Sequence, residues 1–183
     1  QLIGAADVAA LFDLVEAAGD GGGAGIFLPY LSGERTPHNN PAARGLFFGL
    51  SHESGPARLA RSVLEGVAFA FRDGLDALAD AGTRVDQATV IGGGARSLFW
   101  GRILASALDI RLIYRAGGEI GPAFGAARLA LIGVDGLPPE DAASAPAIVH
   151  VIEPDDRLAA RLAERLARFR ALYRTVEPLF GAA

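Results

Sequence analysis

The chain has 183 residues, of which 51% are hydrophobic, and a net charge of −4. A chain of this length can bury one substantial core. Its negative charge disfavours binding to nucleic acid or to an acidic membrane surface. It contains no cysteine, so disulfides and thiolate nucleophiles are excluded, which fits a cytoplasmic protein.

All 17 basic residues are arginine, so no lysine of this chain can bind a phosphate group. No apolar run reaches the roughly 20 residues that a membrane span needs, and we therefore expect no membrane partner. The chain begins at Gln1 and contains no methionine. We expect it to be a fragment of a longer protein.

The first predicted element is an amphipathic helix over residues 5–18. Asp7 is placed to cap this helix and Gly19 to end it. Its apolar residues recur at helical spacing, namely Val8, Leu11, Phe12 and Val15. The glycine-rich run 19–25 follows and contains no lysine. Because this run leaves a helix and enters a strand, it is predicted to be a flexible connector rather than a phosphate loop.

Two short apolar strands are predicted at residues 26–31 and 45–50. The loop between them is polar and contains two prolines, and loops of this kind often carry function. An ion pair between Glu34 and Arg35 that holds a turn is an equally good interpretation.

The longest predicted helix begins at Gly55-Pro56, because glycine can cap and proline suits the first helical position. Gly82 is placed to end it. One apolar stripe is predicted to be core, and it consists of Leu59, Val63, Val67, Phe71, Leu75 and Leu78. Gly66 lies in the helix interior, where glycine costs roughly 1 kcal/mol, and we expect it to mark close packing beside Glu65.

A strand–helix–strand–helix pattern comes next. It consists of a strand at 88–91, three glycines, a helix at 97–108, a strand at 111–114 and a helix from Gly121-Pro122 to Gly133. This spacing predicts a right-handed unit with parallel strands. Together with the earlier strand pair, it predicts an α/β fold in which a mixed sheet is covered by helices.

Residues 135–147 are predicted to be a surface excursion, and a final helix is predicted to begin at residues 154–156. One side of that helix is apolar and carries Leu158, Leu162, Leu166, Phe169 and Tyr173. The other side is basic and carries Arg157, Arg161, Arg165, Arg168, Arg170 and Arg174. Such a helix can bind acidic lipid or a partner. We favour a solvated outer face, because the protein is acidic overall.

The strongest candidate for ligand binding is the run Gly92, Gly93, Gly94, Ala95, Arg96 and Ser97. A strand ends and a helix begins there, so free backbone N–H groups can face an anion. We predict a nucleotide. The glycine spacing nearly matches the dinucleotide fingerprint. Since Arg115 stands where an acidic residue would hold a ribose, an NADP-dependent oxidoreductase remains an alternative.

The residues alone indicate no catalytic or metal-binding constellation. The three histidines, His38, His52 and His150, are scattered and lack metal-ligand spacing. No pair of carboxylates has a spacing that indicates a general acid and base. Ser51 and Ser54 lack the surroundings of a nucleophile elbow.

Four separated motifs resemble the FGGY carbohydrate kinases. One segment resembles the second signature of that family, and it consists of Gly45-x-Phe47-x-Gly49-Leu50 followed by Leu59-x-x-Ser62-Val63-Leu64-Glu65-Gly66. One position departs, since Arg58 stands where a polar or acidic residue is usual. The xylulokinase branch in particular resembles residues 27–41 (FLPYLSGERTPHNNP), 92–97 (GGGARS) and 121–128 (GPAFGAAR).

The resemblance implies a two-lobed, actin-like sugar kinase whose ATP lies between ribonuclease-H-like lobes. Residues 1–183 would be most of the C-terminal lobe, with 1–135 as its main body and 155–180 as a C-terminal helix, and the N-terminal lobe would be absent. In the family, the turn equivalent to Gly92–Ala95 borders the nucleotide, and Arg96 and Ser97 lie near the adenosine. The catalytic Asp lies upstream, so the resemblance implies no catalytic residue and no metal ligand here.

The implied reaction transfers the γ-phosphoryl group of ATP, with Mg2+, to D-xylulose and gives D-xylulose 5-phosphate. This chemistry depends on positioning and charge stabilisation, so we expect the chain alone to be inactive. An exposed interlobe face would give it a surface for forming a homodimer. A non-catalytic actin-like ATP-binding module is a further alternative.

Overall fold

The computed structural model describes residues 6–19 and 21–181, and this part of the chain contains helices and strands in an α/β arrangement. The helices are α1 (Val8–Ala17), α2 (Pro56–Asp80), α3 (Leu98–Leu108), α4 (Pro122–Gly133), α5 (Pro139–Ala142) and α6 (Asp156–Val176). The strands are β1 (Ile26–Leu28), β2 (Leu46–Phe48), β3 (Gln87–Val90), β4 (Arg111–Arg115) and β5 (Ile148–Ile152). Among the described residues, no helix is both long enough and apolar enough to cross a membrane.

Local capping signals predicted the helix ends correctly. Asp7 caps α1, because its Oδ1 accepts a hydrogen bond of 2.8 Å from the N–H of Ala10. The predicted start of that helix at residue 5 lies outside the described residues. Gly55 precedes α2, and Gly82 follows it with a φ of +89°, a left-handed conformation that glycine adopts without strain.

The strands form two sheets. In the first, β1 pairs antiparallel with β2, and in the second β4 lies between a parallel β3 and an antiparallel β5. The parallel pair and the antiparallel pair are therefore both confirmed. They do not share one sheet, however, because β1 packs against α2 and α6 instead. The strand β5 was missed, although its run of β-branched residues is typical of a strand.

The buried face of α2 differs from the predicted stripe. Phe71 and Leu78 are 57% and 48% exposed, so the prediction that they are core was wrong, whereas Val67 and Leu75 of the stripe are partly buried and pack against the core. The fully buried face of the helix instead combines small, polar and charged residues with two large apolar ones, and it consists of Ala60, Arg61, Ser62, Leu64, Glu65, Gly66, Ala68, Phe69 and Asp73. Hydrophobic periodicity does not predict such a face, because its polar side chains are buried through pairing across to α6.

A buried carboxylate joins α2 to α6. Glu65 is 1% exposed, and its two oxygens accept from Arg61 Nε at 2.9 Å and from Arg165 Nε at 2.7 Å. Arg165 also donates to the carbonyl of Gly25, just before β1, at 2.6 Å. The prediction that the arginines of α6 all lie on a solvated face is therefore wrong for Arg165.

A second ionic cluster lies nearer the end of α2. Arg170 donates to Asp73 at 2.6 Å and also pairs with Asp76, which accepts from Arg72 at 2.8 Å. Burial raises the pKa of Asp73 and outweighs the opposing effect of Arg170. Burial also acts to raise the pKa of Asp76, but hydrogen bonds from Arg72 and Arg170 outweigh it, so the pKa of Asp76 is lowered. Arg170 is thus a second arginine that faces α2.

Three glycines lie where backbones approach closely. A Cβ on Gly66 would lie 2.2 Å from the carbonyl oxygen of Phe27, which confirms that this glycine marks close packing. A Cβ on Gly25 would lie 2.2 Å from the carbonyl oxygen of Phe48, and one on Gly23 would lie 2.5 Å from Ser62 Oγ. The end of the predicted flexible connector is therefore packed against α2 and β2. Asp20, within the same connector, lies outside the described residues.

We predict opposite effects for two glycines of α2. Gly66→Ala should lower the free energy of unfolding by about 1–3 kcal/mol or more, because the new methyl group collides with the Phe27 carbonyl. Gly74→Ala should raise it by up to about 1 kcal/mol, since a Cβ there meets nothing within 4 Å and alanine favours a helix. Urea denaturation of both variants measures the difference. Equal stability of the two variants would contradict the close approach of β1 to α2.

We also predict that Asp76 stabilises the fold in a pH-dependent way. Its pKa is lower in the folded chain, so the unfolded chain binds more protons near and below the ordinary aspartate pKa of about 3.9. Stability should therefore fall as the pH falls through this range. In Asp76→Asn this loss should be smaller, whereas Asp135→Asn, at an exposed position, should leave it unchanged. Chemical denaturation at a series of pH values tests this, and identical pH profiles for wild type and Asp76→Asn would refute it.

Candidate functional site

Two glycine turns lie side by side at the carboxyl ends of β3 and β4. The N–H of Gly92 donates to the carbonyl of Gly118 at 2.8 Å. A Cβ on Gly121, whose φ is +66°, would lie 3.4 Å from the Cα of Gly92. This edge of parallel strands is where α/β folds commonly bind ligands. The first turn was predicted as a site. The second was not, although it shows the same strand–glycine–helix pattern.

The predicted binding run, residues 92–97, forms a 3₁₀ turn followed by a helix cap. The turn spans Gly93–Arg96, and α3 begins at Leu98. Ser97 caps α3, because its Oγ accepts from the N–H of Trp100 at 3.1 Å. The prediction that α3 starts at about Ser97 is thus close, but a 3₁₀ turn lies between the first glycine and the helix. The hydroxyl of Ser97 already satisfies a donor at the start of α3. The first N–H groups of the 3₁₀ turn are not used by its own hydrogen bonds.

A cavity of about 430 Å³ separates this run from α1. Its size is within the range of about 300–1,000 Å³ that is typical of small-molecule sites. It is lined on the α1 side by Ala9, Phe12, Asp13 and Glu16, and on the other side by Gly93, Arg96, Ser97, Leu98 and Phe99. The run thus has an opposite wall, which no spacing in the sequence predicted.

The two walls of the cavity carry opposite charge. Asp13 and Glu16 provide carboxylates, which accept hydrogen bonds from hydroxyl and amino groups and repel phosphate. The side chain of Arg96 is exposed and forms no hydrogen bond or ion pair with another residue of 6–19 or 21–181, so its planar guanidinium is available to stack on a ring. The cavity therefore suits an uncharged ring that bears hydroxyl groups better than it suits a phosphate chain.

The sequence matches the family described as "FGGY family of carbohydrate kinases, C-terminal domain" over residues 3–134. The chain belongs to this family. It is 44% identical over 187 residues to the xylulose kinase of Klebsiella pneumoniae and 45% identical over 190 residues to that of Escherichia coli K12. Each alignment covers 99% of this chain and 38% of the relative. The FGGY chain therefore spans less than half the length of these relatives.

The fold of this FGGY domain agrees with a solved structure. A crystal structure described as a xyloylose kinase from Brucella ovis is 43% identical, with a TM-score of 0.77, and the match covers 91% of this chain and 35% of that one. The fold class and the family that the motifs indicated are both confirmed.

The other candidate residues of the FGGY domain have structural contacts. Glu34 accepts a hydrogen bond from the N–H of His38 at 2.8 Å, and within the described part of the chain it forms no ion pair with Arg35. The carboxylate of Glu34 therefore stabilises the loop through the backbone of His38 rather than through the predicted ion pair. The ring of His38 stacks on Tyr173 at 3.7 Å. Ser54 Oγ accepts from the N–H of Ser51 at 2.9 Å. The described residues contain no group of three or more side chains suited to a metal ion.

We predict that the cap at Ser97 stabilises this end of α3. Ser97→Ala should lower the free energy of unfolding by about 0.5–2 kcal/mol, the usual cost of losing a side-chain cap. Ser97→Thr keeps the hydroxyl and should recover most of the loss. Thermal unfolding followed by circular dichroism compares the variants. If the alanine variant is as stable as the wild type, Trp100 N–H does not depend on Ser97.

Proposed function

We propose that this chain is the C-terminal, nucleotide-binding lobe of a sugar kinase that transfers the γ-phosphoryl group of ATP to D-xylulose, giving D-xylulose 5-phosphate. The names and the 44–45% identity of the two relatives support the choice of sugar. The cavity between α1 and residues 92–97, at the carboxyl edge of the parallel strands, supports the binding of a nucleotide. Such a kinase works where ATP and free sugars occur, so we place it in the cytoplasm.

In this proposal the adenosine of ATP occupies the cavity. Arg96 stacks on the base, and the carboxylates of Asp13 and Glu16 accept hydrogen bonds from the ribose or the base. The proposed ATP-binding residues are those predicted from the sequence, namely Gly92, Gly93, Gly94, Ala95, Arg96 and Ser97. Because the Ser97 hydroxyl accepts from the Trp100 N–H, the proposed contribution of Ser97 to ATP binding is to cap α3 and so hold the run in place, rather than to contact ATP through its hydroxyl.

The residues around the cavity suit the nucleoside better than the phosphates. Among the described residues, no group of three or more His, Asp or Glu side chains is suited to a metal ion, and Asp13 and Glu16 disfavour phosphate in the cavity. When Mg2+ is bound, it neutralises charge on the phosphates. In this proposal, as the family resemblance implies, the catalytic base and the phosphate-binding groups belong to the rest of the enzyme, together with most of the sugar site. This chain binds and orients the adenosine.

Of the alternatives, the NADP-dependent oxidoreductase loses support. Arg115, the residue proposed to meet a 2′-phosphate, donates to the carbonyl of Pro146 at 2.7 Å, and the chain belongs to a kinase family. A non-catalytic ATP-binding module would use the same cavity, so only an activity measurement separates it from the kinase.

The chain alone should bind ATP weakly and phosphorylate nothing. A helix N-terminus contributes about 0.3–2 kcal/mol to binding an anion, whereas millimolar affinity needs about 4 kcal/mol. Calorimetry with ATP and a coupled assay with D-xylulose test this expectation. Micromolar affinity or turnover by the chain alone would overturn it.

The activity is tested in a fusion in which this chain replaces the matching part of the Klebsiella pneumoniae xylulose kinase. We expect D-xylulose-dependent ADP release, because the host enzyme supplies the sugar site and this chain has to supply only a working nucleotide site. Arg96→Ala should raise the KM for ATP, while Arg84→Ala, which changes an exposed arginine outside the cavity, should not. A folded fusion that binds ATP without sugar-dependent ADP release would favour the non-catalytic module.

A further inference from the structure

Arg61 is a buried cation whose hydrogen bonds are incomplete. It is 2% exposed, and its Nε donates to Glu65 at 2.9 Å. Its Nη1 is buried and has no hydrogen-bond partner among the described residues. Buried polar groups are nearly always paired, because an unpaired one costs free energy. The position of Arg61 therefore calls for a reason other than the single ion pair.

The guanidinium of Arg61 lies over an aromatic ring. Its central carbon is 5.6 Å from the centroid of the Phe99 ring, within the distance at which cations attract aromatic faces. Phe99 is buried, and it lines the cavity between α1 and residues 92–97. Arg61 thus supports, through this ring, a wall of the proposed adenosine site.

Glu65 restricts where the guanidinium can go. The carboxylate accepts from Arg61 through one oxygen and from Arg165 of α6 through the other, at 2.9 and 2.7 Å. Charge-assisted hydrogen bonds of this length fix a planar guanidinium in orientation as well as in place. A continuous series of contacts therefore runs from α6 through Glu65 and Arg61 to the Phe99 ring.

We propose that Arg61 is a positioning residue for nucleotide binding, which holds the Phe99 ring in the cavity wall. The proposal rests on the proposed function. If the Phe99 ring is already fixed before binding, it does not have to be ordered when the base enters, so the entropic cost of binding is smaller. Loss of Arg61 should therefore weaken ATP binding without slowing the chemical step.

Arg72 provides a matched control in the same helix. It pairs with Asp76 four residues on at 2.8 Å, as Arg61 pairs with Glu65. It also contacts α3, but it donates to the carbonyls of Ala107 and Leu108 at the far end of that helix. Arg72→Met and Arg61→Met thus each remove one such pair together with the contacts of that arginine to α3, and of the two only Arg61 touches the cavity wall.

The first test is kinetic and uses the fusion described above. Arg61→Met should raise the KM for ATP roughly 2- to 30-fold, the range of measured cation–π contributions, with kcat nearly unchanged. Arg61→Lys should recover part of this loss, and Arg72→Met should leave the KM unchanged. In a Phe99→Leu background, Arg61→Met should have no further effect. Additive effects of the two substitutions, or an equal KM change in Arg72→Met, would overturn the proposal.

The second test does not depend on ATP. In the 183-residue chain, nuclear magnetic resonance of the Phe99 ring protons should show a shifted or faster-flipping ring in Arg61→Met and an unchanged one in Arg72→Met. An unchanged ring in Arg61→Met would refute the positioning role. If the unsubstituted fusion shows no turnover but the ring responds to Arg61→Met, the proposed function fails while the contact between Arg61 and Phe99 stands.

Discussion

The buried carboxylate of Glu65 is the interaction on which the arrangement of α2, α6 and β1 depends. It pairs with Arg61 of its own helix and with Arg165 of α6, and Arg165 also holds the Gly25 carbonyl. Such a cluster adds little net stability over a well-packed apolar replacement, yet breaking it costs about 3–5 kcal/mol because a charge is left unpaired. We infer that its main effect is to specify which faces of α2 and α6 meet.

The glycine next to this carboxylate completes the junction. Successive residues of a helix point about 100° apart, so Glu65 can face α6 while Gly66 faces β1. The absence of a side chain at Gly66 lets the Phe27 carbonyl approach α2. Two adjacent positions of the Leu64-Glu65-Gly66 motif therefore fix two neighbours of one helix, the first by charge and the second by close backbone contact.

Local signals predicted where the helices begin and end. Which face of a helix is buried depends on residues that are distant in the sequence. Gly55-Pro56, Gly82 and Asp7 mark helix ends because capping involves residues a few positions apart. The predicted buried face of α2 differed from the observed one because Glu65 and Asp73 are charged residues, which are usually exposed. They are buried here because they pair with Arg165 and Arg170, which lie 100 and 97 positions later in the sequence. A single sequence gives no signal for such pairs.

The candidate site likewise has one part that local sequence predicts and one part that depends on distant packing. The glycine turn at residues 92–94 was predictable because its strand, turn and helix are contiguous. The opposite wall was not, because α1 reaches the cavity only by packing against α2 and α3. That wall changes the chemistry of the site, since Asp13 and Glu16 accept hydrogen bonds and repel phosphate. Without a lysine anywhere in the chain, residues 92–97 can offer phosphate little beyond backbone N–H groups and Arg96. In the proposed enzyme, the charge needed for phosphoryl transfer must therefore come mainly from residues other than 92–97.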